Sequence, residues 1–135
     1  RVSTFCEEPG NEVQHVDFGH PYSPIFRSQV IAAAEASGVT MVAGGCYGVT
    51  QGPRLETIAE IARMHRDGCD LVGMTGMPEA ALAREKGLEY ACLAIVANWA
   101  VGCGDAQEIT MADVLANVDA ASSGLSDLLG ELARG

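Results

Sequence analysis

The sequence is poor in aromatic and in basic residues. Only 5% of its 135 residues are Phe, Trp or Tyr, and 8 Lys and Arg stand against 18 Asp and Glu. The net charge of −10 argues against nucleic acid and anionic membranes as partners, because both bind basic protein faces. With so few aromatic side chains, the core is expected to consist mostly of Ala, Val, Leu, Ile and Met.

Long apolar runs and paired cysteines are also absent. No run approaches the roughly 20 apolar residues that span a bilayer, and the start at Arg1 lacks the pattern of a signal peptide. The five cysteines are odd in number and widely spaced, with no Cys-x-x-Cys pair. We expect free thiols, three of them buried, in a reducing cytoplasmic compartment, and no metal site.

What the sequence does contain is an alternation of helix and strand signals. Helices are predicted from Ser23-Pro24 to Gly38, over Ile58–Arg66, from Pro78 to Gly87 and over about Thr110–Ala133; strands are predicted at Val39–Val49, Leu71–Met74 and Tyr90–Ala97. Such alternation favours an α/β fold with a mostly parallel sheet covered by helices. Because three strands are few for such a sheet, we expect the C-terminal part of a larger protein, or partner strands from elsewhere.

The turns that follow the predicted strands carry the candidate chemistry. They are Thr50–Thr57, Met74–Glu79 and Asn98–Ala100. Ligands of open α/β sheets gather at the carboxyl ends of strands, so the three turns are expected to share one pocket. None of them is a Walker or dinucleotide loop, which argues against nucleoside triphosphates and NAD.

Each of these residues also has a purely structural interpretation. Glu56 is an acid at a helix N-terminus, where the helix dipole favours it. Met74 and Leu55 are residue types common in protein cores. Asn98 is typical of turns, and Thr75 of helix N-caps. The residues alone leave these alternatives open.

Three stretches resemble the purine nucleoside phosphorylase and methylthioadenosine phosphorylase family. They are TQGPRLETIAEI from Thr50, DLVGMTGMPEAALARE from Asp70 and YACLAIVANWA from Tyr90. The upstream HVDF and HPY stretches are most similar to the bacterial branch that acts on S-methyl-5′-thioinosine. The resemblance implies a three-layer α/β phosphorylase fold with a mixed, mostly parallel sheet. Residues 1–135 would be the C-terminal portion of that single domain.

The resemblance also implies which side chains are catalytic. Glu56 matches the carboxylate that accepts a hydrogen bond from N1–H of a 6-oxopurine, and Asn98 matches the amide at the N7/O6 edge of the base. A neutral amide can serve O6 as a donor and turn to serve N7. Adenine-preferring relatives carry a small hydroxyl residue and an aspartate at these positions. The pair therefore implies a 6-oxopurine substrate, with a methylthioadenosine phosphorylase as the alternative.

Further substrate-binding residues follow from the same resemblance. Met74 matches a residue packed on the ribose, Thr75 a hydroxyl that donates to phosphate, and Leu55 a position over the base. The remaining residues, Met111, Val114 and Leu115, with His15 from a neighbouring subunit, match the pocket of the 5′-methylthio group. The implied partners are a purine nucleoside, inorganic phosphate and further copies of the chain, as a trimer or higher oligomer.

The implied reaction is phosphorolysis of the N-glycosidic bond, which yields the free base and (5-methylthio)ribose 1-phosphate. Phosphate is both the co-substrate and the nucleophile, so no cofactor is expected. The family's glycine-rich phosphate loop and Arg-His pair do not occur in this sequence. We therefore expect activity to require the N-terminal half. The alternative is an incompetent fragment that self-associates and binds flat apolar ligands.

Overall fold

The computed structural model describes residues 3–7, 9–104 and 110–134. After a short 3-10 helix at Phe5–Glu7, the elements are α1 (Pro24–Ala36), β1 (Tyr47–Val49), α2 (Ile58–Arg66), β2 (Leu71–Gly73), α3 (Glu79–Glu85) and α4 (Met111–Leu132). Strands β1 and β2 pair in parallel, with Tyr47 opposite Leu71 and Val49 opposite Gly73. The α/β class with parallel pairing is confirmed, and α2 is the crossover of a β–α–β unit.

Helix α1 begins and ends where its sequence signals predict. The amide of Phe26 donates to Oγ of Ser23 at 3.0 Å, and Pro24 occupies the first turn. Gly38 follows the helix with φ of 72°, a conformation in which a side chain would be strained. Ile25, in the first turn, is exposed, so the apolar side chains of this helix do not all face the core.

The main core lies between α1 and the C-terminal half of α4. Ala33 and Ala34 of α1 and Leu128 of α4 are buried there. The small alanine side chains let the two helices approach closely, while Leu128 fills the space between them. The partly buried side chains packed around this cluster are Val30, Val39, Met41 and Leu132.

Helix α2 begins with a capping box formed by Thr57 and Glu60. Oγ1 of Thr57 accepts from the amide of Glu60 at 3.2 Å, and the Glu60 carboxylate accepts from the amide of Thr57 at 2.8 Å. Arg54 adds a two-pronged ion pair to the same carboxylate, at 2.9 and 2.8 Å. The hydrogen bonds from Arg54 and Thr57 lower the pKa of Glu60 to about 2. The start of α2 is thereby tied to the loop before it.

Two of the strand predictions are wrong. Of Val39–Val49, only Tyr47–Val49 forms a ladder, and Val42 is 89% exposed. Tyr90–Ala97 forms no ladder with any described part of the chain, and Val96 is 73% exposed. An apolar run becomes a strand only where another backbone segment supplies hydrogen bonds. Among the described residues, only β1 and β2 pair in this way.

The remaining element predictions differ at their ends. The strand predicted at Leu71–Met74 ends at Gly73, and Pro78 is the N-cap of α3 rather than its first residue. Helix α4 falls within the predicted range, with Thr110 as its N-cap. Among the described residues, the helices are all too short or too polar to span a membrane.

The prediction of buried thiols is wrong, although all five cysteines are free as expected. Cys46 is exposed, and the other four are only half-buried. The physical reason is the same as for the missing strands. Cys46 and Cys92 lie in segments 39–46 and 90–97, which form no strand among the described residues, so no sheet encloses these two thiols.

Candidate active site

The turn after β1 holds Glu56 in a defined orientation. Oγ1 of Thr50 donates to Oε1 of Glu56 at 2.6 Å, and the amide of Thr50 donates to the Gly73 carbonyl at 2.8 Å. Glu56 is half-buried and directly precedes Thr57, the N-cap of α2. The helix dipole favours a negative charge there. The carboxylate is therefore anchored to the end of β1, which is in turn bonded to the end of β2.

The same turn lies against Met74, which follows β2. A Cβ placed on Gly52 would lie 2.5 Å from Sδ of Met74, too close for any side chain other than hydrogen. Gly52 also has φ of 62°, which favours glycine. The structure thus brings the first two predicted turns together at the carboxyl ends of the paired strands, as the sequence predicts.

Thr75 is held by a residue of β1. The amide of Thr75 donates to the phenol oxygen of Tyr47 at 3.3 Å, and the two hydroxyl oxygens are 3.2 Å apart. Thr75 itself is exposed. Its interpretation as a helix N-cap is wrong, because α3 is capped by Pro78 without a side-chain hydrogen bond.

Asn98 lies in a loop that runs beside the start of α2. Its Nδ2 donates to the carbonyl of Trp99 at 2.8 Å, as expected of a turn residue. A Cβ placed on Gly102 would lie 3.3 Å from Cγ2 of Ile58, the first residue of α2. The loop that carries Asn98 is therefore adjacent to the helix that follows Glu56. The amide retains a second hydrogen and its carbonyl oxygen for other partners.

The N-terminal half of α4 reaches the same region. Nδ2 of Asn117 donates to the carbonyl of Ala97 at 2.5 Å, directly before Asn98. Met111 is 69% exposed, Leu115 is exposed and Val114 is half-buried. These side chains lie outside the α1–α4 core, and their contact with a 5′-methylthio group stays a prediction.

Leu55 is not a core residue. Its side chain is 57% exposed, between the ion-paired Arg54 and Glu56. The core interpretation of this residue is therefore wrong, and its role over a base remains a prediction.

His15 precedes the three predicted turns in the sequence. It is exposed in the N-terminal segment, and no hydrogen bond within the described chain joins it to Glu56, Met74, Thr75 or Asn98. A cavity of about 510 Å³ lies beside this segment and is lined by Phe5, Cys6, Asn11, Glu12, Val13, Gln14, Glu85 and Lys86. None of the predicted site residues lines that cavity.

An aromatic layer lies beneath the turn that carries Thr75. The rings of Tyr22 and Tyr90 stack with centroids 6.2 Å apart. Burial, with Cys92 nearby, raises the pKa of Tyr22 to about 12. Burial also raises the pKa of Tyr90 and of Cys92. These groups are neutral at pH 7 and support the turn without placing a charge beside it.

Sequence reasoning missed two polar residues of the site, Thr50 and Tyr47. A usable signal for Tyr47 is the pair Gly73 and Gly76 on either side of Met74 and Thr75. Glycines at such positions often mark the close approach of another group. For Thr50 the signal is its place at the carboxyl end of a strand, six residues before the acid that it binds.

The model of the Phosphorylase superfamily matches residues 2–134 of the chain. The chain is 87% identical over its full length to the probable S-methyl-5′-thioinosine phosphorylase of Xanthomonas campestris pv. campestris, and covers 54% of that protein. Over 96% of its length it is 40% identical to the probable 6-oxopurine nucleoside phosphorylase of Moorella thermoacetica, and covers 49% of it.

A solved structure has a similar fold. The methylthioadenosine phosphorylase of Schistosoma mansoni, in complex with adenine, superposes with a TM-score of 0.88 and 28% identity. The match covers 98% of this chain and 53% of that one. The chain spans about half the length of the curated relatives and of the solved structure that it matches.

Proposed function

We propose that this chain, which belongs to the Phosphorylase superfamily, carries the purine-binding part of the active site of a nucleoside phosphorylase. The substrate is a 6-oxopurine 5′-methylthionucleoside such as 5′-methylthioinosine. Phosphate attacks C1′ of the sugar, the N-glycosidic bond breaks, and the products are the free base and 5-methylthioribose 1-phosphate. The observation that carries the proposal is the meeting of Glu56, Met74 and Thr75 at the joined ends of β1 and β2.

The two catalytic residues in this proposal act on the base. Glu56 accepts a hydrogen bond from N1–H, and Thr50 keeps its carboxylate oriented. Asn98 donates its remaining amide hydrogen to the O6/N7 edge, where negative charge grows as the base leaves. Such oriented polar groups stabilise a transition state without reorganising, and removal of one typically costs about 100- to 1000-fold in kcat.

The sugar and phosphate are bound at the second turn and by α4. Met74 packs against the ribose, Leu55 covers the base, and Thr75 donates to phosphate. Met111, Val114 and Leu115 surround the 5′-methylthio group together with His15 of a neighbouring copy. The last assignment requires a homo-oligomer, a trimer or higher, and is supported by the exposure of His15 to solvent within one chain.

Inorganic phosphate is the co-substrate, and no cofactor takes part. Thr75 alone is too little to hold a dianion, since buried or bound anions require several donors. We expect the remaining phosphate ligands to come from the half of the protein that lies outside these 135 residues. The proposal is supported by the half-length match to the curated relatives.

The test is phosphorolysis with three nucleosides. Purified protein is given phosphate with 5′-methylthioinosine, inosine or methylthioadenosine, and the released base is measured by chromatography. We expect the highest kcat/KM for 5′-methylthioinosine. A preference for methylthioadenosine would refute the roles given to Glu56 and Asn98. The same assay with residues 1–135 alone, and with an added N-terminal half, shows whether that half is required.

A second candidate function is favoured by the exposed apolar side chains. Val42, Val96, Trp99 and Met111 are all largely exposed. In this alternative the chain binds flat apolar ligands and further copies of itself without turnover. It predicts oligomers by sedimentation and dye binding in the absence of phosphorolysis. A monomer that cleaves the nucleoside would refute it.

A further inference from the structure

The phenol of Tyr47 occupies a slot that only two glycines leave open. A Cβ placed on Gly73 would lie 2.5 Å from the Tyr47 oxygen, and one placed on Gly76 would lie 3.0 Å from its Cε1. Gly76 is buried and has φ of 84°. The ring therefore passes under the Met74–Thr75 turn, and its hydroxyl is fixed there by the backbone on both sides.

The hydrogen bonds at this hydroxyl have a defined direction. The Thr75 amide can only donate, so the Tyr47 oxygen is its acceptor at 3.3 Å. The Tyr47 oxygen and Oγ1 of Thr75 are 3.2 Å apart, and either could donate. A phenol is the stronger donor of the two, so the Tyr47 hydroxyl donates its hydrogen bond to Oγ1 of Thr75. The hydroxyl hydrogen of Thr75 is then directed away from Tyr47.

We propose that Tyr47 is the positioning residue that fixes Thr75 as a hydrogen-bond donor toward an inorganic phosphate oxyanion. This inference rests on the proposed function, which places phosphate at Thr75. A phosphate dianion offers mainly acceptors, so a threonine that presents a lone pair would repel it. Tyr47 donates to Oγ1 of Thr75 and accepts from the Thr75 amide. The orientation of both the backbone and the hydroxyl of Thr75 is therefore fixed before phosphate binds.

The first test is Tyr47→Phe, which keeps the ring in its slot and removes only the hydroxyl. We expect KM for phosphate to rise about tenfold, the effect of one ordinary hydrogen bond, with KM for the nucleoside unchanged. The matched control is Tyr90→Phe, because Tyr90 belongs to the stack with Tyr22 and, among the described residues, forms no hydrogen bond to Thr75. An unchanged KM for phosphate in Tyr47→Phe would overturn the inference and leave the proposed function standing.

A double variant separates positioning from direct contact. In a Thr75→Val background, the added Tyr47→Phe change should raise KM for phosphate by much less than tenfold, because the hydroxyl contact is already gone and only the bond to the amide of residue 75 remains to be lost. If the two changes multiply, Tyr47 acts by another route and the inference is wrong. Thermal unfolding of each variant identifies any that fail to fold. KM for phosphate is compared only among the variants that fold.

A binding measurement makes the inference independent of turnover. In the 135-residue chain combined with the N-terminal half, the amide resonance of Thr75 is followed by NMR while inorganic phosphate is added. We expect a shift in the unmodified protein, and about tenfold more phosphate for the same shift in Tyr47→Phe. If this holds but no nucleoside is cleaved, the proposed function fails alone. If phosphate leaves the Thr75 resonance of the unmodified protein unmoved, the inference fails.

Discussion

At the scale of single residues, one hydroxyl orients the carboxylate of the site. Thr50 donates to Glu56 at 2.6 Å from the end of β1. A carboxylate on a loop is otherwise able to rotate among several orientations, and ordering it again on binding costs free energy. Under the proposed function, Thr50 would therefore share in base recognition without touching the base.

Thr50→Val tests this, because valine keeps the shape of threonine and removes the donor. We expect kcat/KM for a 6-oxopurine nucleoside to fall about tenfold, as for the loss of one hydrogen bond. KM for phosphate should stay the same, since Thr75 is not affected. Steady-state kinetics with each substrate varied in turn provide the measurement. Thr40→Val, an exposed position before β1, is the control and should change neither parameter.

These residues also mark what the sequence alone predicts. Glu56, Met74 and Thr75 lie within short motifs whose local turns follow from neighbouring glycines and prolines, and the structure brings them together. Tyr47 acts on a residue 28 positions away, so its role depends on the pairing of β1 with β2. Gly73 and Gly76 mark a close approach, but they do not identify Tyr47 as the group that approaches, because that follows from the tertiary structure.

At the scale of elements, the start of α2 is a pH-dependent clamp. Arg54 and Thr57 lower the pKa of Glu60 from the ordinary 4.5 to about 2. Because the folded pKa is the lower one, the bonds of Glu60 stabilise the fold fully above pH 4.5. That stabilisation is lost as the pH falls from 4.5 toward about 2.

Thermal melting across this window, followed by circular dichroism, measures the clamp. We expect the Tm of the unmodified chain to fall on acidification, and Glu60→Gln to lose less over the same range, because it has no carboxylate to protonate. Glutamine still serves the capping box with Thr57. Glu131→Gln, which removes the other ion pair, to Arg134, is the matched control and should follow the unmodified chain. Equal losses in all three proteins would contradict the role of Glu60.

Strands show where local patterns stop predicting elements. Helix signals such as the capping box are complete within a few residues, and α1, α2 and α4 lie where these signals put them. The apolar run Tyr90–Ala97 has a strand composition, yet a strand also needs a partner. The amide of Ser23 donates to the Tyr90 carbonyl at 2.8 Å, and Nδ2 of Asn117 donates to the Ala97 carbonyl at 2.5 Å. Within the described chain, the backbone of this run is therefore bonded to other segments at its two ends and forms no ladder between them.

Hydrogen exchange distinguishes the two kinds of segment. We expect the Thr50 amide, bonded to the Gly73 carbonyl, to exchange at least about tenfold more slowly than the amides of residues 93–96. Mass spectrometry or NMR of the 135-residue chain provides the rates. Equally slow exchange in both segments would contradict the description of 93–96 as unpaired and would indicate a partner strand.

At the scale of the whole molecule, two surface properties oppose each other. The net charge of −10 makes copies of the chain repel one another. Exposed apolar side chains favour their association, and salt screens the repulsion more than it weakens apolar contact. The chain should therefore associate more strongly as ionic strength rises, whether the copies form the proposed oligomer or the incompetent aggregate.

Substitution of Val96 distinguishes association through a specific surface from non-specific apolar association. Val96 and Val13 are both 73% exposed, but Val96 lies in an unpaired apolar run, whereas Glu12 and Gln14 flank Val13. Val96→Lys and Val13→Lys change net charge and exposed apolar area by the same amount. Sedimentation velocity at low and high salt should show association reduced by Val96→Lys and retained by Val13→Lys. If both substitutions act alike, charge alone controls association, and the run at Val96 is not the surface through which copies meet.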